Sequence, residues 1–98
     1  MACALIWSPA ARDDLHDIVR FIAHDNPQRA ESFGYELITR AEILREHPEA
    51  GRIVPEYRDP RIREVMHRPY RIIYRLDIER RLVEIARVWH GARGTPAL

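Results

Sequence analysis

The sequence contains no lysine and only one cysteine, Cys3. A single cysteine permits no disulfide within the chain and no cysteine-based metal site. No apolar run approaches the roughly 20 residues that a membrane-spanning helix needs, and the apolar N-terminal run is too short and lacks the basic flank of a signal peptide. We therefore expect a cytoplasmic protein whose 98 residues support one modest hydrophobic core.

Patterns typical of metal or cofactor sites are also missing. His16 and His24 lie on the first predicted helix, and their spacing puts them about 12 Å apart along its axis, too far to share a metal. The chain has no glycine-rich loop of the kind that cradles phosphates. The sequence therefore predicts no metal and no cofactor.

Charge is present in both signs but is distributed unevenly. Residues 52–98 hold 11 arginines against six acids, a balance of +5, whereas residues 1–51 hold five arginines against nine acids, a balance of −4. Guanidinium groups bind carboxylates and phosphates bidentately. This asymmetry predicts a positive surface for an anionic partner, whereas the use of arginine alone is equally well explained by genome composition.

Two helices are predicted in the acidic half, each introduced by a cap residue and a proline. Ser8-Pro9 and Asn26-Pro27 both place a capping side chain before a proline at the first helical position. The expected helices cover about residues 9–24 and 27–46 and pack as an antiparallel hairpin. Their buried stripes are predicted from apolar residues at helical spacing: Ala11, Leu15, Ile18 and Ile22 in the first, and Ala30, Phe33, Leu37, Ala41 and Leu44 in the second.

Segments with the period of β-strands surround this hairpin. Residues 3–7 precede it, and residues 52–54, 62–67, 70–76 and 82–90 follow it. The last of these is apolar on both faces, as a strand inside a sheet is. The pattern predicts an α+β fold in the order strand, helix, helix and then three or four antiparallel strands (β-α-α-β-β-β), with the N-terminal helical hairpin packed on a small antiparallel sheet. We expect one domain, residues 1–98, in which residues 91–98 form a flexible tail.

A set of short motifs, in this order along the chain, resembles the ParE/RelE superfamily of toxins from type II toxin–antitoxin systems. The resemblance covers nearly the whole chain, and its last two motifs, about 15 residues apart, are the most specific. The motifs are Trp7-Ser8-Pro9-Ala10-Ala11, Asp25-Asn26-Pro27, Arg63-Glu64, Tyr70-Arg71-Ile72-Ile73-Tyr74 and Arg87-Val88-Trp89-His90-Gly91-Ala92-Arg93.

The resemblance implies one of two activities. ParE-like members bind DNA gyrase, trap it on cleaved DNA and are not nucleases, whereas RelE-like members enter the ribosomal A site and cut mRNA. Both are neutralised by a small antitoxin, so the implied partners are a cognate antitoxin (ParD-like or similar) and either DNA gyrase or the ribosome with its mRNA. The ending His90-Gly91-Ala92-Arg93 is closer to ParE-like members. A gyrase-directed toxin is therefore implied, with a ribosome-dependent mRNA endoribonuclease as the alternative.

For the alternative, the resemblance also implies where catalytic residues would lie. Metal-free RNA cleavage needs a base for the 2′-OH, a proton donor for the leaving oxygen and cations for the phosphate. Arg71 matches an arginine of the nuclease strand motif, and His90 matches its C-terminal histidine. Arginine is a poor base at neutral pH, so the base would have to be Glu64 or His67. The candidate catalytic residues are His90, Arg71, Glu64 and His67.

The candidates for binding the target or the antitoxin lie mainly on the strands. We expect a groove between the helical hairpin and the sheet, and its rim is expected to carry Arg63, Arg71 and Arg75. Arg87 is expected to share a strand face with Val83, Ile85 and Trp89, so its charge needs a carboxylate partner, for which Glu64 is a candidate. The candidates are Arg63, Arg71, Arg75, Arg87, Trp89, His90 and Arg93.

Structural roles are the alternative for the same residues. Arg63 and Glu64 could form a cross-strand charge pair, and Arg71 and Arg75 could be solvated arginines on an exposed face. Trp89 could pack in the core rather than stack on a base, and His90 could close the edge of the sheet.

Overall fold

The computed structural model of the protein describes residues 2–98. Its helices begin at the predicted caps: Ser8 Oγ accepts a hydrogen bond from the Ala11 N–H at 3.0 Å. Asn26 serves both helices, because its N–H donates to Ile22 O at 2.9 Å and its Oδ1 accepts from the Arg29 N–H at 3.0 Å. The elements are β1 (Ala4–Trp7), α1 (Pro9–Asp25), α2 (Pro27–Glu42), a 3₁₀ turn (Ile43–Arg45), β2 (Arg52–Ile53), β3 (Ile62–His67), β4 (Tyr70–Asp77) and β5 (Leu82–His90).

The five strands form one mixed sheet in the order β1-β5-β4-β3-β2. Strand β1 runs parallel to β5, with Ala4 opposite Leu82 and Trp7 opposite Ile85, and the other neighbouring strands are antiparallel. The predicted α+β class and the order of elements are confirmed. The sheet is not wholly antiparallel, because the first strand joins it beside the last.

The helical hairpin packs on one side of the sheet, which we call the helix-covered face, and we call the other side the open face. On the helix-covered face the stripes of both helices bury Ile72, Tyr74 and Leu76 of β4 together with apolar residues of β3 and β5. A smaller apolar cluster on the open face consists of Val54, Ile73 and Trp89. Within residues 2–98, no helix is long and apolar enough to cross a membrane.

A bulge at Ala86 changes the direction of side chains along β5. Tyr74 of β4 lies opposite Ile85, but the preceding Ile73 lies opposite Arg87, so Ala86 has no partner on β4. The bulge lies where β1 gives way to α1, because Ser8 Oγ donates to Ala86 O at 2.8 Å. Beyond it the alternation of β5 is shifted by one residue.

The bulge corrects one expectation from the sequence. Val83 and Ile85 belong to the main core on the helix-covered face. Arg87 lies opposite Ile73, and Trp89 packs with Ile73 on the open face. The prediction that Arg87 shares a face with Val83 and Ile85 is therefore wrong, because strict alternation does not hold across a bulge.

Candidate functional site

Arg71, near the start of β4, lies on the open face and is held by two carboxylates. Its Nε donates to Glu64 Oε1 at 2.6 Å, and its Nη1 and Nη2 donate to the two oxygens of Glu56 at 2.8 and 2.7 Å. The other oxygen of Glu64 accepts from Arg52 Nε at 2.7 Å. Glu64 is only 1% exposed. The four side chains form an ion-pair network whose centre is closed to solvent.

The contact between Glu56 and Arg71 shifts the pKa of each group so that the charged form is favoured. The pKa of Glu56 is lowered to about 2, chiefly because Arg71 donates hydrogen bonds to its carboxylate. The same contact, opposed in part by burial, raises the pKa of Arg71 above its ordinary value. Both oxygens of Glu64 already accept from guanidinium groups, so none is free to take a proton from a substrate. Arg71 and Glu64 hold each other within the network, and the catalytic roles predicted for them stay predictions.

A second set of polar side chains lies on the helix-covered face, at the end of the sheet. Tyr70 stands opposite His67 on one side and His90 on the other. The rings of Tyr70 and His90 meet edge to face, 5.3 Å apart, and His67 packs on Phe33 at 5.1 Å. His67 Nε2 lies 2.9 Å from a Glu36 oxygen, which joins this row to α2.

The side chains of His67, Tyr70 and His90 differ in how far they are exposed to solvent. Burial raises the pKa of Tyr70. His90 is exposed, and its Nδ1 accepts a hydrogen bond from the Ala92 N–H at 3.1 Å. An imidazole that accepts at Nδ1 carries its proton at Nε2 when neutral, which leaves Nε2 as a donor. The four candidate catalytic residues are thus separated by the sheet, His67 and His90 on one face and Arg71 and Glu64 on the other.

Arg87 is paired within the chain, as predicted. Its guanidinium meets both carboxylate oxygens of Asp14 on α1, and its Nη1 donates to Ala97 O at 3.0 Å. It also lies over the Trp89 ring, 4.9 Å from the centroid. The predicted need for a carboxylate is confirmed, but the partner is Asp14 and not Glu64. The bulge turns Arg87 toward the strand edge that α1 crosses.

Trp89 and the last residues of the chain form a stack on the open face. The Arg93 guanidinium lies 3.9 Å from the centroid of the Trp89 ring, and Trp89 Nε1 donates to Gly94 O at 3.1 Å. Tyr57 Oη donates to Pro96 O at 2.5 Å, and Pro96 is buried. Residues 91–98 therefore lie against the sheet, while the flexibility expected of this tail stays a prediction.

The remaining candidate arginines lie on different faces of the sheet. Arg63 stands opposite Tyr74 and donates to the carbonyl oxygens of Pro60 and Gly51 at 2.9 and 3.1 Å. Arg75 is on the open face, where it pairs with Glu84 at 2.9 Å. Because residues 63, 71 and 75 do not share a face, they do not form the common groove rim expected from the sequence. Their roles in binding stay predictions.

Two residues that organise these sites were not among the sequence candidates. Glu56 lies in a polar loop and reaches Arg71 only because the chain folds that loop over the open face. Asp14 lies on α1, three residues after Ala11 and four before Ile18. A carboxylate at helical spacing within a buried stripe is a signal of a buried partner.

The comparisons with known proteins agree with this architecture. The family model described as "ParE toxin of type II toxin-antitoxin system, parDE" matches residues 5–94. None of the curated proteins compared with the chain matches it. The chain belongs to the ParE toxin family, the toxins of type II toxin–antitoxin systems.

Solved structures with the same fold include two toxin–antitoxin systems. The toxin fold of the chromosomal ParDE TA system from P. aeruginosa is similar with a TM-score of 0.75 at 20% identity, over 91% of this chain and 96% of that chain. The toxin-antitoxin complex RelBE2 from Mycobacterium tuberculosis is similar with a TM-score of 0.65 at 24% identity, over 92% of this chain and 99% of that chain. At these identities the likeness concerns the fold.

Proposed function

We propose that this toxin inhibits DNA gyrase by binding it, and that a cognate ParD-like antitoxin neutralises it in a hetero-oligomer. Membership of the ParE family supports the target. The two similar structures come from a ParDE system and a RelBE2 complex, which supports an antitoxin partner. The interface would use the candidate residues at the ends of β4 and β5.

The observation that carries the proposal is the separation of the groups that RNA cleavage needs. A base, a proton donor and a cation must all reach one phosphate within about 3 Å of the reacting atoms. Here Arg71 and Glu64 are bonded to each other on the open face, whereas His67 and His90 lie at the end of the helix-covered face. A protein that acts by occupying its target needs no such convergence.

The ribosome-dependent endoribonuclease is the second candidate, and one observation favours it. His67, Tyr70 and His90 lie side by side on three neighbouring strands. Two imidazoles flanking a phenol could share acid and base roles without Arg71 and Glu64. His90 is the exposed member, so this mechanism would depend on it.

The two candidates are separated by one pair of assays on the purified full-length chain and on His90→Ala. In a supercoiling assay with purified gyrase, we expect inhibition and cleaved DNA from both proteins. The potency should differ by no more than a contact loss of about 1–3 kcal/mol. On purified ribosomes, mRNA should stay uncut with either protein. The proposal would be overturned if the wild type cut mRNA on ribosomes, His90→Ala did not cut it, and the wild type left gyrase uninhibited.

A further inference from the structure

Ion pairs neutralise only part of the basic half of the chain: Arg58, Arg63 and Arg80 form none within residues 2–98, and two segments without acids hold further unpaired cations. Residues 65–76 and 85–98 contain no acidic side chain. Acids from other segments neutralise most of their cations: Glu56 and Glu64 meet Arg71, Glu84 meets Arg75, and Asp14 meets Arg87. Arg68 and Arg93, both exposed, have no ion pair within residues 2–98.

The fold brings these two arginines to the same end of the sheet. Arg68 lies in the turn between β3 and β4, and Arg93 follows the end of β5. The Gly91 N–H donates to Pro69 O at 2.8 Å, and the Arg93 N–H donates to His90 O at 3.0 Å. Arg68, His90 and Arg93 therefore lie within three residues of one backbone hydrogen bond. We call these three residues the terminal cationic cluster.

Each member of the cluster can donate to an anion. Arg93 is stacked on Trp89, which orients the plane of its guanidinium and leaves its N–H edge available. His90 accepts at Nδ1, so its Nε2 is a donor. These donors come from adjoining backbone positions at one end of the sheet, in segments without an acidic residue, and they favour a ligand that carries several negative charges.

We propose that the terminal cationic cluster binds the phosphate backbone of duplex DNA, and that the toxin uses it to hold the DNA segment on which gyrase acts. This inference rests on the gyrase-directed function proposed above and adds a second contact to it. Duplex DNA presents one negative charge per about 1.7 Å of helix axis, so several phosphates lie within reach of such a cluster.

Duplex DNA fits this surface better than single-stranded RNA does. Recognition of single strands relies on aromatic rings that stack on unpaired bases. Trp89 is only 4% exposed and is covered by Arg93, and Tyr70 packs between Phe33 and His90. The cluster therefore offers cations without a stacking platform. Contacts of this kind position a protein on DNA without reading its sequence.

The test compares DNA binding by two double variants of the full chain. Arg68→Gln/Arg93→Gln removes two cations from the cluster. Arg12→Gln/Arg20→Gln removes two exposed arginines of α1, which also form no ion pair within residues 2–98. Fluorescence anisotropy with labelled 20-bp duplexes of two unrelated sequences, titrated from 50 to 200 mM salt, measures affinity and its salt dependence.

We expect the wild type to bind both duplexes equally, with affinity that falls as salt rises. The cluster variant should lower the slope of log K against log salt by about 2, one unit for each lost phosphate contact, and the α1 variant should leave it unchanged. Equal losses in both variants, or no binding by the wild type, would overturn the inference. Single-stranded RNA bound more tightly than the duplex would also overturn it.

The anisotropy assay contains no gyrase, so it tests DNA binding by the terminal cationic cluster separately from the proposed inhibition of gyrase. A wild type that inhibits gyrase but does not bind duplex DNA overturns this inference alone. In the gyrase assay, the cluster variant should require at least about 10-fold more protein than the wild type for the same amount of cleaved DNA at 100 mM salt. Cleavage unaffected by the variant would overturn the use of the cluster on gyrase-held DNA.

Discussion

Asp14 and Arg87 form a bidentate ion pair that fastens α1 to β5 just beyond the bulge. Arg87 Nε lies 2.8 Å from Asp14 Oδ2, and Nη2 lies 2.9 Å from Oδ1. The same Oδ2 accepts the Val88 N–H at 2.9 Å. The Val88 N–H lies beyond Ile85, the last β5 residue that pairs with β1, and the Asp14 carboxylate supplies its hydrogen-bond acceptor. One aspartate therefore completes the edge of β5 that β1 leaves open.

We expect Asp14→Ala to lower the free energy of unfolding by about 2–4 kcal/mol, because it removes three hydrogen bonds and leaves the largely buried Arg87 without its acid. Urea unfolding followed by circular dichroism measures this change. The control is Asp13→Ala at the neighbouring exposed position, which should change stability by less than about 0.5 kcal/mol. Similar losses for the two variants would show that the pair is not important.

The network around Arg71 should be much more sensitive than an ion pair at the surface. Arg71→Met keeps most of the apolar stem but leaves Glu64 buried with only Arg52 as partner, so we expect a loss of about 3–5 kcal/mol. Arg75→Met breaks a pair whose arginine is 44% exposed and should cost less than about 1 kcal/mol. Chemical unfolding of both variants tests the contrast, and comparable costs would contradict it.

Glu56 should make stability depend on pH in the acid range. A glutamate in an unfolded chain titrates near pH 4.3, whereas the pKa of Glu56 in the folded protein is about 2. Between these values the unfolded chain binds more protons, so the stabilisation is complete above about pH 5 and is lost as pH falls toward 2. The contribution is about 1–3 kcal/mol, allowing for partial solvent screening.

Urea unfolding at a series of pH values from 6 to 2.5 measures this contribution. Glu56→Gln should be less stable than the wild type at pH 6, and the difference should shrink as the pH falls. Glu31→Gln, at an exposed position without an ion pair within residues 2–98, should run parallel to the wild type throughout. A constant difference between Glu56→Gln and the wild type would contradict the assignment.

Gly51 should not tolerate a side chain. A Cβ built there would lie 2.6 Å from both Glu64 O and Tyr74 Oη, and the Gly51 N–H donates to that hydroxyl at 3.0 Å. Gly51→Ala must push β3 or the Tyr74 ring aside, so we expect a loss of about 1–3 kcal/mol. Ala50→Gly at the adjacent exposed position should cost no more than about 1 kcal/mol. Thermal unfolding measures both, and a neutral Gly51→Ala would refute the packing argument.

Local signals in the sequence predicted most of the secondary structure. Ser8 and Asn26 each act on the residues immediately after them, so both helix starts were predictable from the sequence. The end of α2 was predicted less accurately. The helix changes to a 3₁₀ turn at Ile43, before the predicted end at residue 46. The apolar character of β5 on both faces correctly indicated a strand with neighbours on either side.

The arrangement of the site depended on contacts that local patterns do not contain. Alternation along one strand cannot indicate a bulge, and the bulge at Ala86 arises from pairing with Ser8, 78 positions earlier in the chain. The charge asymmetry likewise overstated the positive surface, because Asp14 from the acidic half neutralises Arg87. Which arginines stay unpaired can be decided only from the folded arrangement.

The pairing of the first strand with the last has a consequence for how the chain is made. β1 needs β5 beside it, and the hairpin needs β4 and β5 beneath it, yet β5 is the last of these elements to leave the ribosome. The two amphipathic helices therefore leave the ribosome before the strands on which they pack. Pairings of such long sequence separation raise the contact order, which slows folding. We expect the fold to be complete only after that final strand has docked.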